Sequence, residues 1–412
     1  MDQVHLPLPP GPEPLPTRAA GLARLAHFLP RAGVTYAARR NEDLPGHPYV
    51  SGLSPWIRHR LVTEAEVIAA VRSHHPAGAD TFLAEVWWRT YWKGWLELRP
   101  QIWADYANGV LAAQNRLAVE GGLRQVWQDA CAGETGIDGF DHWARELAQT
   151  GWMHNHARMW FASIWIFTLG LPWRLGADFF YRHLIDGDAA SNTLGWRWVA
   201  GLHTRGKPYP AEAQNIATFT AGRFTPRPSD LAEVTAGLES TEPDGLPTVQ
   251  PLRAFTSPQA GHPTALLITD EDCRVEDFDL SALTIRTAAT LAASHLRSPL
   301  PVSDLVAGFE AGALTDAATR AGVTVEAMQA TDPAALAKWA ARAEATQIAT
   351  PYVTRGPLRD WLDAAAPALA KQGITLCEWR RDWDGAIWPH ATAGFFKVKQ
   401  NIPRILEQVG LE

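Results

Sequence analysis

An all-helical first part followed by a small Rossmann-like α/β unit is the fold class that this chain of 412 residues predicts. Three observations carry the prediction. Large apolar residues recur at spacings of three or four up to about residue 238. A proline-rich stretch over 239–263 then interrupts the pattern. Beyond it, short apolar runs alternate with helical stretches, the signature of a parallel sheet covered on both faces.

Taken in order, Thr17 caps a helix running to residue 27, and Thr63 opens T-E-A-E, a capping-box start for a helix over 65–73. Thr81 opens a longer helix over 82–98, in which Phe82, Val86, Trp88, Trp92, Trp95 and Leu98 fall close to one face. Further helices are predicted over 111–132, 138–149, 155–169 and 177–185, and no alternating strand precedes residue 260. Pro226 and Pro228 end this texture, and 239–262 reads as a linker crossing a surface. Strands are predicted over 265–269, 283–286, 346–349 and 374–378, separated by helices over 302–321, 333–345 and 358–371. The chain thus divides into a helical domain (1–238), a linker (239–262) and an α/β domain (263–412). The latter lacks G-x-G-x-x-G, so dinucleotide binding there has no support.

With 46% hydrophobic and 20% charged residues the composition is that of a globular protein, neither disordered nor fibrous. Cys131, Cys273 and Cys377 are too few for a disulfide framework and one short of four thiolates for an iron–sulfur cluster, which favours a reducing, cytoplasmic home. The first fifteen residues hold five prolines and no apolar run, unlike a secretory signal. The longest apolar stretch, 157–171, contains Arg158, Ser163 and Thr168 and falls short of the roughly 20 residues that span a bilayer. Through residue 238 there are 22 basic and 22 acidic residues, so the net −7 arises entirely beyond it. Twenty of those 22 cations are Arg, which suits phosphate or carboxylate recognition but equally reflects a GC-rich genome. The outlier is Trp, at 19 residues: indoles fill cores, and their faces also stack on flat ligands.

The densest constellation lies between Thr150 and Ala200: T-G-W-M-H-N-H-A-R-M, then I-D-G-D-A-A-S-N-T-L-G-W-R-W. Upstream stand S-G-L-S-P-W at 51–56 and E-V-W-W-R at 85–89. Ser51 and Ser54 at a helix start can offer hydroxyls and free N–H groups to an anion, or simply cap the helix before Pro55. Asp186 can pair with Arg158, an internal pair that is costly unless well hydrogen-bonded. His154 and His156, two apart at a helix start, share no face, so no metal site is expected. G-x-S-x-G and Gly-rich ATP loops are absent.

In order and spacing, these segments resemble the FAD-binding domain of the photolyase and cryptochrome family over about 17–224. The resemblance implies an all-helical photolyase-type domain holding FAD. Tyr36, Ser51, Gly52, Leu53 and Ser54 would clasp the diphosphate, with Phe82 and Arg89 beside them; Arg158, Asp186 and Asp188 would flank the flavin, and Asn192 would face its N5. Trp196 and Trp173 match the inner members of an electron-transfer chain, whose outer member is open: Leu117 falls near its place, and Trp103 or Trp127 can substitute. Glu85, Trp88, Asn155, Met159 and Trp198 match the pocket for a flipped pyrimidine dimer, where indoles stack on the bases and a carboxyl and an amide bond their edges. His156 replaces an arginine that contacts DNA phosphate, and Thr193-Leu194 replaces a smaller pair beside the flavin. The segments V-A-G-L-H-T-R-G-K-P-Y-P and N-I-A-T-F-T-A-G-R-F also depart from the common pattern, as in a side branch.

The implied function is light-driven repair of UV-damaged DNA, single- or double-stranded, by electron transfer from reduced FAD to a cyclobutane pyrimidine dimer. The alternatives are a cryptochrome-like blue-light photoreceptor acting on a partner protein, and a redox flavoprotein without light function. The family ordinarily places its α/β domain first. Here the closing segment, Y-V-T-R-G-P-L-R-D-W-L then G-A-I-W-P-H-A-T-A-G-F-F-K-V-K-Q-N-I-P-R-I-L, resembles the end of that domain, which implies a circular permutation; an unrelated Rossmann-like appendage is the competing view. The unit is short, so an antenna chromophore is not expected.

Overall fold

The computed structural model describes residues 15–411. The expectation about a leader falls on the first fifteen residues, nearly all outside the described part. Before the sheet come helices α1 (Arg18–Phe28), α2 (Val34–Arg39), α3 (Ser54–Arg58), α4 (Glu64–His74), α5 (Asp80–Glu97), α6 (Pro100–Val119), α7 (Gly121–Ala132), α8 (Phe140–Thr150), α9 (Asn155–Ser163), α10 (Trp173–His183), α11 (Ala189–Val199) and α12 (Ala213–Phe219). Then β1 (Pro263–Thr269), β2 (Thr284–Ala292), α13 (Asp304–Arg320), β3 (Glu326–Gln329), α14 (Pro333–Arg342), β4 (Gln347–Pro351), α15 (Pro357–Lys371) and β5 (Thr375–Trp379) form a layered unit, and α16 (Asp382–Ile387), α17 (Phe396–Lys399) and α18 (Ile402–Gln408) close the chain.

Local chemistry explains the main starts. The Thr17 hydroxyl accepts from the Ala20 N–H, and Thr63 with Glu66 completes a reciprocal capping box. The helix expected over 111–132 is two: Pro100 begins α6 eleven residues earlier than the pattern suggests, and Glu120 adopts an extended conformation before Gly121-Gly122 opens α7. The helix expected over 155–169 ends as one turn of π-helix over Ile164–Thr168.

All strands are parallel, in the order β3-β2-β1-β4-β5. Alternate residues of β1 point to opposite faces. Ala265 and Leu267 join Leu336, Trp339, Trp361 and Leu362 of α14 and α15 in one core, whereas Leu266 and Ile268 join Val306, Phe309 and Leu314 of α13 in the core that continues through the helical part. β3 has no predicted counterpart: it is a four-residue edge strand, mostly exposed, without an apolar run. β2 runs to Ala292 rather than 286 because its buried half is Ala, Thr and Leu, a weak hydrophobic signal.

α5 is the spine between the two parts. Its apolar residues are not one core stripe as predicted: Trp87, Tyr91 and Trp95 are buried, while Trp88 and Trp92 are half-buried. The helix is covered on more than one side. Trp383 of α16 lies 4.5 Å from Trp87, and Trp388 packs so close to Gly94 that a Cβ there would come within 2.6 Å of it.

Candidate active site

A cavity of about 630 Å³ opens among α5, α9, α10, α11 and α12, within the range of pockets for small molecules and cofactors. Its wall combines Glu85 and Trp88 from α5, Asn155, Arg158 and Met159 from α9, Asp186 and Asp188 before α11, and Asn192, Trp196 and Trp198 within it. Residues far apart in the chain meet because α11 packs against α5, α9 and α10.

Arg158 donates to both oxygens of Asp186, at 2.9 and 3.1 Å, and its Nε to the Met153 carbonyl at 3.0 Å. Asp188 caps α11 by accepting from the Ser191 N–H at 2.9 Å. Burial alone would raise the Asp188 pKa, but Lys93 (3.3 Å), Arg89 (3.8 Å) and Arg58 hold it well below the carboxylate range. Asn192 commits its Nδ2 to the Ala177 carbonyl at 2.8 Å, which leaves its Oδ1 as an acceptor. The buried Trp196 Nε1 has no partner among the described residues. A buried indole N–H ordinarily finds one, and Trp196 is a residue of the cavity wall.

The electrostatics extend into the sheet. Lys93, 2% exposed, bridges Asp188 to Glu271 at 3.0 Å, and Arg58 ties Glu271 (2.8 Å) to Asp270 (3.2 Å) and the Gly187 carbonyl (2.8 Å). Asp270 and Glu271 follow β1, beside the point where the strand order reverses between β1 and β4, the usual ligand crevice of an open α/β sheet. Here charged side chains fill that crevice, leaving about 10 Å³.

The structure does not bring every candidate residue to this cavity. Tyr36 and Phe82 lie outside the wall, packed on each other at 5.1 Å and on Phe28. Ser51, Gly52, Leu53 and Ser54 are also outside: the Ser51 carbonyl accepts from Arg24 Nε at 2.8 Å, and Leu53 is buried. Arg89 stands behind Asp188 and Glu64. His156 lines the cavity but is buried; Nδ1 faces the Asn41 carbonyl (3.0 Å), Nε2 the Tyr209 hydroxyl (3.2 Å), and the ring stacks on Trp160. Burial keeps its pKa below 6.5, so the phosphate-facing position expected for it is replaced by a neutral wall residue. Thr193 and Leu194 are fully buried away from the wall, so they do not narrow it.

The rings beside Trp196 are Phe180 (5.0 Å) and Trp165 (6.2 Å). Trp173 begins α10, and one turn on, Gly176 lies so near Trp196 that a Cβ would come within 2.2 Å of the indole. Trp173 faces Tyr106 at 6.0 Å, and Tyr106 faces Trp103 at 5.3 Å, so of the open candidates for an outer member Trp103 is the one joined to Trp173 through a ring. Leu117 is buried on α6, and Trp127 is half-buried on α7.

Several wall residues have no signature in the sequence. Arg40 pairs with Glu85, and Asn41, Trp92, Tyr209, Asn215 and Phe219 complete the wall. Asn215 has one traceable tie, accepting from Trp160 Nε1 at 2.9 Å. Phe395, from the end of the chain, stacks on Trp88 at 4.2 Å.

Known proteins match this part of the chain. The family described as "FAD binding domain of DNA photolyase" matches residues 82–222. A deoxyribodipyrimidine photo-lyase of Streptomyces griseus is 36% identical over 169 residues, 41% of this chain and 35% of that protein. The Escherichia coli K12 deoxyribodipyrimidine photo-lyase is 30% identical over 215 residues, 50% of this chain and 42% of that one. Cryptochrome DASH of Danio rerio is 31% identical over 188 residues, 44% of this chain and 35% of that one. Among solved structures, a class III photolyase of Agrobacterium tumefaciens aligns with a TM-score of 0.42 and 27% identity over 50% of this chain and 43% of that one. The chain thus spans well under half the length of these relatives. No helix of the described residues is long and apolar enough to cross a membrane, and they hold no cluster of metal-ligating side chains. Residues 82–222 are an FAD-binding domain of the photolyase and cryptochrome family.

Proposed function

We propose that the protein is a light-driven flavoprotein that splits cyclobutane pyrimidine dimers in UV-damaged DNA. The observation that carries this reading is that one cavity holds both sets of groups it needs: Arg158, Asp186, Asp188, Asn192 and Trp196 for the flavin, and Glu85, Trp88, Asn155, Met159 and Trp198 for the dimer. FAD, when bound and reduced, would supply the light-driven electron chemistry that splitting a cyclobutane ring needs.

The chain's own residues position and insulate. Arg158 and Asp186 would present a fixed charge pair to the flavin, Asn192 would offer it the Oδ1 left free by its Nδ2 bond, and Trp196 would border it. Ser51–Ser54 lies outside the wall and has no part in this reading. Trp88 and Trp198 provide faces for the flipped bases, and Asn155 with Glu85 bonds their polar edges. Met159 closes an apolar side and excludes water. Trp173, Tyr106 and Trp103 are the route by which an external donor re-reduces the flavin. The helical part to residue 238, the linker to 262 and the α/β part from 263 are then the family's two domains in permuted order, which the 3-2-1-4-5 sheet supports. The filled crevice beyond β1 supports a unit without an antenna chromophore.

The test is to illuminate the reduced protein with a dimer-containing single-stranded oligonucleotide and count the dimers lost. Repair at a rate that follows light dose is the expected result; intact dimers beside a flavin that photoreduces normally exclude it. A photoreceptor without repair is the second reading, favoured by Phe395 stacked on Trp88 and by the neutral, buried His156.

A further inference from the structure

Two basic segments flank the indole ridge of the cavity mouth. Trp88 and Trp92, 5.1 Å apart, both line the cavity. On one side His203 lies 4.8 Å from Trp92 and opens a loop that exposes Arg205 and Lys207. On the other, Phe395 stacks on Trp88 and leads into α17, which exposes Phe396, Lys397 and Lys399; Arg404 follows on α18. This second segment is tied down: Tyr91 donates to the Ala393 carbonyl and Arg99 to the Thr392 carbonyl, each at 2.8 Å. Neither segment has a part in the cavity chemistry above.

Among the described residues these cations form no ion pair with a carboxylate. Arg205 donates to the Glu239 carbonyl (3.0 Å) and Lys397 to the Thr392 hydroxyl (2.7 Å). Burial and then the charges of Arg404 and Lys397 lower the His390 pKa, so both cations lie near that ring. Phe396 is 68% exposed and is the one aromatic ring among the strongly exposed large apolar side chains of the described residues. Cations flanking an exposed ring are what an unpaired nucleic-acid strand requires: phosphates bind the charges and a base stacks on the ring. The chain as a whole is acidic at −7, so strand affinity needs a local concentration of positive charge such as this.

We infer that Arg205, Lys207, Lys397, Lys399 and Arg404, with Phe396, form the rim that holds single-stranded DNA across the cavity mouth, so the last helices contribute to substrate binding. The inference deepens the proposed function and rests on DNA being the substrate. It also gives the buried His156 a successor, since the phosphate contacts move from the wall to the rim.

The test measures binding of a fluorescent single-stranded oligonucleotide to the flavin-loaded full chain over a range of salt. K397Q/K399Q/R404Q is expected to flatten the logarithmic salt slope by up to about 2, and R205Q/K207Q by up to about 1.4, at about 0.7 per lost phosphate contact on a single strand. F396A is expected to weaken binding about fivefold or more at constant slope. Flavin absorbance and photoreduction, which need no DNA, stay as in the wild type and report an intact fold. Wild-type binding with an unchanged slope in both multiple variants overturns the rim while leaving the repair reading standing. No wild-type binding at low salt overturns DNA as substrate, and the rim with it. A duplex bound as tightly as the single strand, with F396A silent, overturns the single-strand assignment.

Discussion

At the scale of single residues, the cavity depends on a few polar atoms with no alternative partner. Trp196 borders it and touches Trp165 and Phe180, so Trp196→Phe keeps an aromatic ring there and removes both the N–H and the easily oxidised indole. Flavin photoreduction in that variant is expected to slow at least tenfold while flavin content is retained; transient absorption after a blue flash measures it. Arg158→Ala leaves Asp186 without its partner on the cavity wall and, on the proposed reading, is expected to yield largely flavin-free protein, read from the visible spectrum. His154 provides a pH test. Burial lowers its pKa to about 4 from the ordinary 6.5. Between those values the unfolded chain binds a proton that the folded chain refuses. Its contribution to stability is therefore complete above pH 6.5 and is lost as pH falls toward 4, by up to about 3 kcal/mol. Because His154 Nδ1 accepts from the His156 N–H, His154→Asn preserves a helix cap without the titration. Urea unfolding at pH 7.5 and pH 4.5 is expected to show a smaller loss in the variant.

Among elements, α5 carries the most. One side presents Trp88 and Trp92 to the cavity and another meets α16 and the turn after it. Gly94 is where this approach is closest. Gly94→Ala drives a methyl into the Trp388 indole and is expected to destabilise by roughly 1–3 kcal/mol, against the small gain in helix propensity that the same change gives at an exposed site. Urea denaturation followed by tryptophan fluorescence measures the difference. Most element types were legible from spacing and caps: α1, α4 and α5 start within a residue or two of Thr17, Thr63 and Thr81. Boundaries failed where small residues carried the load, as in β2, or where exposure removed the apolar pattern, as in β3.

For the molecule as a whole, buried charge joins the two parts. Arg60 pairs with Asp272 (3.3 Å) and Asp384 (2.7 Å), while Arg58 and Lys93 pair with Asp270 and Glu271, so cations from the helical part meet carboxylates beyond residue 262. A chain ending at 262 leaves these cations buried or newly exposed without partners, and it strips the aromatic cover from α5. It is expected not to fold on its own, shown by loss of near-UV circular dichroism and rapid proteolysis. Lys93→Met in the full chain leaves Asp188 and Glu271 facing each other and is expected to cost about 3 kcal/mol or more and to weaken flavin binding, by unfolding and by flavin titration.

The pattern of residues by itself determined the class of fold, because helical periodicity and caps are local, and the resemblance carried by the segments at 152–159 and 186–198 pointed to the flavin. What it could not express is which distant side chains share a wall. Arg40 against Glu85, Phe395 on Trp88, Lys93 between Asp188 and Glu271, and the burial of His156 are contacts across 45 to more than 300 residues of chain. Close packing and the cost of unpaired buried charge select them only once the helices and the sheet have docked.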